Sequence, residues 1–207
     1  MHLDDKDSRV ITMCGMSAAF AALFGTPLTA AIFSMEVVSV GVMYYAAIVP
    51  CVVASLIGTG VAGWFGITPT AYKLLDVPGL GVVSALQVIA LGILFALLSI
   101  FFCRLMHATP KLYQKYLPRP VVRAAVGGAI VIALTYLVWL WAPGTYDYSG
   151  AGSHIIARAI AGEARPEAFL LKMLFTTVTL GAGFKGGEIV PVFFVGSTFG
   201  CVAAPLL

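Results

Sequence analysis

Charge is scarce in this chain. Its 12 Lys and Arg and 9 Asp and Glu make up 10% of 207 residues, against about 25% in a typical soluble domain. With 60% of residues hydrophobic, too little polar surface remains to cover a globular fold in water, which excludes a soluble enzyme or binding domain. Disorder is excluded as well, because disordered chains are charged and poor in aromatics and this one is 12% aromatic. No segment joins a basic face to interleaved aromatics, so nucleic acid is not an expected partner. The four cysteines, Cys14, Cys51, Cys103 and Cys201, stand singly in apolar runs without a CxxC pair. They read as small packing residues and not as a zinc site or a disulfide framework. His2, His107 and His154 are isolated, and neither HExxH nor GxSxG occurs. No catalytic residue, metal or cofactor is therefore implied. An integral membrane protein is the class that remains.

What the chain does contain is uncharged sequence. Residues 10–35, 44–63, 82–103, 124–146 and 189–207 carry no charge, and a spanning helix needs about 20 apolar residues. Each run is expected to cross or nearly cross a bilayer. Run 168–184 holds one charge, Lys172, near its start, where a long side chain is expected to snorkel to the interface. The opening Met1–Arg9 is polar and acidic and does not read as a signal peptide. Segment 104–123 carries Arg104, Lys111, Lys115, Arg119 and Arg123 with no acid, which predicts an irregular cytoplasmic loop by the positive-inside rule. Small residues suggest close helix packing at Gly15, Ala19 and Ala22, and at Gly60, Gly63 and Gly66. Pro50 is the expected kink point of the third run. The fold class that follows is all-α: a polytopic membrane protein with tilted and broken helices.

Two of the runs are interrupted. Residues 10–35 break at Gly25-Thr26-Pro27, with Thr26 a fitting N-cap and Pro27 a fitting first helical residue. Residues 181–191 read Gly-Ala-Gly-Phe-Lys-Gly-Gly-Glu-Ile-Val-Pro. Broken backbone at membrane depth is tolerated where protein buries it or where it lines a watery cavity, and transporters use such breaks around a central site. Pro191 is expected at the start of the following helix. The amides of Gly186, Gly187, Glu188, Ile189 and Val190 would then have no intrahelical partner, and with the helix dipole they would suit an anion. A glycine turn capping an ordinary helix fits the spacing equally well. Glu188 could carry a proton, pair with Lys185, or point away while its amide faces an ion. Glu36, the only charge between Arg9 and Lys73, is a second candidate proton carrier, or a carboxylate reaching water.

These segments together resemble the CLC family of chloride channels and anion/proton antiporters. Gly15 to Glu36 is similar to the family's small-residue helix pair, with its Ala-rich helix, Pro-Leu break and terminal acid. Gly186-Gly187-Glu188-Ile189-Val190-Pro191 resembles the family's Gly-x-Phe-x-Pro filter motif. Gly-Gly-Glu followed by an aliphatic residue is closest to the fluoride/proton antiporter branch, although that branch often carries Thr where this chain has Val190. The family's inner proton glutamate would fall at Val37.

The resemblance implies part of an inverted-repeat core in a single transmembrane domain, 1–207. The end of the first repeat would be residues 10–63 and the start of the second 82–207. It implies chloride or fluoride and protons as partners, membrane lipid around the helices, and a homodimer in the plasma membrane. The dimer interface would match residues 28–36 and 44–60. The family's central serine, gating glutamate and inner-gate tyrosine have no counterpart in the chain, so a partial chain is expected. The function implied is transport of chloride or another halide, with fluoride/proton exchange and a non-transporting membrane fragment as alternatives.

Overall fold

The computed structural model describes residues 4–38, 43–71, 79, 81–142 and 146–206. His2, Lys73 and Leu207 lie outside the described residues. Helices account for all regular structure among them. The chain divides into two compact units, Met1–Lys73 and Leu74–Leu207.

The first unit holds α1 (Asp5–Phe24), α2 (Pro27–Val38) and α3 (Ile48–Trp64), the last entered through a 3-10 turn, Tyr45–Ala47. The acidic opening of the chain is a helix start. Asp4 accepts from the amides of Lys6 (2.6 Å) and Asp7 (3.0 Å), and Asp5 and Asp7 sit in the first turn, where the dipole favours negative charge. The expected break is present. Gly25 is left-handed at φ 68° and its amide donates to Ala21, a cap that suits glycine. Thr26 offers only its carbonyl, which accepts from Ala30 at 2.9 Å; no hydroxyl cap forms among the described residues. Thr70 donates to the Leu23 carbonyl freed at the break, at 2.8 Å.

The packing face differs from the expected one. Met13, Ser17 and Ala21 are the buried positions of α1, while Gly15 and Ala19 are exposed. The tight crossing is Gly58 of α3 on Ala18, where a Cβ at 58 would come within 2.7 Å of the Ala18 carbonyl oxygen. Gly15, Gly60 and Gly63 have open space instead. Glycines are used where backbones approach closely, and sequence spacing did not single out that pair. Pro50 falls in the first turn of α3. Its missing amide is not needed there, so it starts the helix and does not kink it.

The second unit holds α4 (Val82–Tyr116), α5 (Pro120–Trp141), α6 (Ser153–Ile160), α7 (Ala168–Gly181) and α8 (Ile189–Ala203). The expected basic loop is largely helix: α4 continues through Arg104, Lys111 and Lys115 and contains Pro110. Apolar residues at helical spacing (Leu105, Leu112, Tyr113 beside Met106) carry the helix on past the uncharged run, and the connection to α5 shrinks to Leu117–Arg119. Helix α7 is buried along most of its length, against α4, α5 and α8. The amphipathic α6 buries Ile155, Ile156 and Ala159. They join a core with Val138, Tyr148, Phe175 and Phe194.

Four helices are long and apolar enough to cross a membrane among the described residues: Tyr45–Trp64, Val82–Tyr116, Pro120–Trp141 and Ile189–Leu206. At 14 residues, α7 is about 21 Å long, short of the roughly 30 Å hydrocarbon layer. Of the six expected crossings, run 10–35 is therefore a helix pair and run 168–184 a short helix.

The end of α7 is held by small residues. A Cβ on Gly127 would stand 2.1 Å from the Cβ of Ala182, and one on Gly181 would stand 2.6 Å from Thr109 Cγ2. Gly127→Ala is expected to lower stability by about 1–3 kcal/mol through overpacking. Adding Ala182→Gly should recover most of that loss. Thermal unfolding of both variants in detergent checks the pair; a double variant no better than the single one would contradict the contact.

Candidate anion site at the turn between α7 and α8

Helix α7 closes with Ala182 donating to Val178 and Gly183 to Leu180, at 3.1 and 3.0 Å. Gly183 then takes φ 101°, a conformation that side chains oppose. From Phe184 to Val190 no backbone amide donates to an acceptor among the described residues. Helix α8 begins at Ile189, with Glu188 at its cap position and no side-chain cap bond. Pro191 is therefore its third residue, not its first as expected. The helix can start early because its first amides need no intrahelical partner, so Pro191 is tolerated within the first turn.

Gly186, Gly187 and Pro191 line a cavity of about 340 Å³ with Lys172, Thr176 and Val131. Val131 lies midway along α5, so the cavity reaches the middle of a helix long enough to cross a membrane. Lys172 is 3% exposed. Its Nζ donates to the carbonyl of Tyr148 at 3.2 Å and to that of Gly150, and lies 5.1 Å from the centre of the Phe194 ring. The expected snorkelling does not occur. The 146–152 segment folds over the start of α7 and supplies the carbonyls that hold the ammonium. Gly152, at φ 68°, permits that fold, since a Cβ there would strike the Phe194 ring at 2.6 Å. Tyr148 is wedged against Phe175 and Phe194, and burial, then the nearby Glu167, pushes its phenol up, so it stays neutral at ordinary pH. Residues 183–188 are exposed, and Gly186 and Gly187 bring their unpaired amides to the rim of a cavity that also holds one buried ammonium; such a combination suits an anion.

Glu188 faces elsewhere. It lines a second cavity, about 300 Å³, with Ser99, Cys103 and His107 of α4 and Val192 of α8. No Lys185–Glu188 ion pair forms among the described residues. His107 Nδ1 lies 2.7 Å from the Cys103 carbonyl. A carbonyl only accepts, so Nδ1 is the donor in this contact.

The voltage gated chloride channel family model matches residues 1–207. The chain belongs to the CLC family. It is 37% identical over 212 residues to a chloride/fluoride channel protein of Pseudomonas syringae pv. tomato (strain ATCC BAA-871 / DC3000), covering 100% of this chain and 46% of that one. It is 23% identical over 222 residues to an uncharacterized protein of Methanocaldococcus jannaschii, covering 98% and 50%. The crystal structure of a CLC-type fluoride/proton antiporter matches with a TM-score of 0.86 at 28% identity, covering 95% of this chain and 49% of that one. The chain spans about half the length of the relatives it matches. With its apolar helices, this CLC chain is an integral, multi-pass membrane protein.

Among the expected site residues of the CLC chain, Gly186 and Gly187 meet at the first cavity and Glu188 at the second. Ile189 and Val190 stand in the first turn of α8. Glu36 is exposed near the end of α2, and the neighbouring Val37 is exposed too. Sequence reasoning missed Lys172 and the 146–152 segment. The signal was available for Lys172: it is a lone ionisable residue inside an apolar run, which marks a functional position by default.

Proposed function

We propose that this chain forms part of a CLC-type pathway that moves chloride or another small halide across a membrane. Backbone N–H groups at Gly186–Val190 replace the ion's hydration shell, and Lys172 supplies positive potential across the cavity. The supporting observation is the run of amides without acceptors, opening at Gly186–Gly187 on a cavity walled by a buried ammonium. Halide efflux from liposomes loaded with chloride or fluoride tests this. Efflux at the rate of protein-free vesicles would contradict it.

Fluoride/proton exchange is the second reading. It is favoured by Glu188 standing in its own cavity with His107, apart from the amides beside it. The similar chains described as a chloride/fluoride channel protein and a fluoride/proton antiporter support it. In this scheme Glu188 carries the proton, while Glu36 serves as a second acid on α2.

The division at Lys73–Leu74 supports assigning residues 10–63 to the end of one repeat and 82–207 to the start of another. A homodimer is supported by the exposed apolar side chains Leu28 and Ile32 of α2 and Val49, Val53, Leu56 and Ile57 of α3. We place the protein in the plasma membrane, with the basic residues of 104–123 on the cytoplasmic side.

A further inference from the structure

Arg123 stands in the first turn of α5, and its guanidinium lies against the backbone of Gly183. A Cβ at 183 would be 3.5 Å from Nη2 and 3.7 Å from Nε. The Nε atom is fully buried and has no hydrogen-bond partner. No carboxylate pairs with Arg123 among the described residues, and segment 104–123 contains no acid. A buried donor left unpaired is costly. Arginine is the side chain suited to holding an anion through several N–H groups at once. The bare amides begin at Phe184, the residue after the one Arg123 touches, and Lys185 follows, exposed. Arg123 is eight residues from Val131 on α5, about 12 Å along the axis toward the basic end and away from the cavity.

We propose that Arg123, with the amides of Phe184 and Lys185, forms a loading site that holds the transported halide at the basic end of α5 before it enters the Gly186–Gly187 cavity. This site rests on the transport reading above. Unlike the cavity, it raises the local halide concentration and does not choose among halides. Gly183 suits this turn because its φ of 101° is one that side chains oppose, while a Cβ there would only reach van der Waals contact with the guanidinium.

Arg123→Gln and Arg123→Lys, reconstituted in liposomes, test the site through halide efflux measured against halide concentration. Arg123→Gln is expected to raise the half-saturating concentration about tenfold, the effect of one charge-assisted hydrogen bond, with the chloride-to-fluoride ratio unchanged. Arg123→Lys should recover most of the affinity. An unchanged half-saturation in Gln, or an equal loss in Lys and Gln, overturns the proposal. So does an Arg123 effect that vanishes in vesicles without anionic lipid, which would assign the guanidinium to a headgroup phosphate. Anomalous scattering from bromide-soaked crystals gives a readout independent of flux. Bromide beside Arg123 supports the site even if no efflux is seen, which would sink the transport reading alone. Bromide absent there, with bromide present in the cavity, overturns the loading site.

Discussion

Glu188→Gln is expected to abolish proton-coupled fluoride efflux. Glutamine keeps the size and polarity of the side chain but has no titrating proton, so the cavity around residue 188 keeps its shape. The amides of 186–190 lie on the main chain and are not altered. Efflux down a fluoride gradient should therefore continue while the accompanying proton movement disappears. The geometry argues for this separation, because Glu188 and the Gly186–Gly187 amides line different cavities. His107 of α4 lines the same cavity as Glu188. Simultaneous recording of fluoride and of internal pH in liposomes gives the coupling ratio directly. A Gln variant with the wild-type ratio would reject Glu188 as the proton carrier.

The second large effect is expected at Lys172. Lys172→Met keeps the aliphatic stem and removes the charge. It strands the carbonyls of Tyr148 and Gly150, at about 1–3 kcal/mol each if they stay buried. It also relieves the desolvation of a buried ammonium. These effects oppose one another, so stability is a poor readout and anion affinity a good one. At an effective dielectric constant near 20 and about 7 Å, one charge attracts an anion by about 2–3 kcal/mol. Halide binding in detergent, followed by calorimetry, should weaken by about 30- to 150-fold in the Met variant. Lys172→Arg should retain most of it. A Met variant with wild-type affinity would show that the ammonium serves only to hold the 146–152 segment.

Much of the architecture was legible in the sequence because a bilayer imposes length and composition on its helices. The uncharged runs at 44–63, 82–103, 124–146 and 189–207 each became a long apolar helix. The Gly25-Thr26-Pro27 break could be read because left-handed glycine and helix-starting proline are local devices. What could not be read was contact across the fold. Gly58 meets Ala18 and Gly127 meets Ala182, but nothing in the spacing of either partner reveals the other. The α4 extension through Pro110 went unseen because basic residues and proline read locally as loop, whereas packing of Thr109 on Gly181 lies on an element 70 residues away. From sequence alone Lys172 reads as an interface residue, because snorkelling is the default for a lone lysine. Its carbonyl partners come from residues 148 and 150, more than 20 positions upstream. At the turn itself, the motif located the amides, but only the coordinates separated the face of Gly186–Gly187 from that of Glu188.

Removing a single N–H bears most directly on the account. Replacing the Ile189 peptide amide by an ester exchanges its N–H for oxygen and leaves every side chain in place. If bare amides coordinate the ion, halide binding to the ester protein should weaken by about tenfold or more, the loss of one charge-assisted hydrogen bond, and the selectivity among halides should change. Affinity and selectivity equal to those of the all-amide protein would contradict the account.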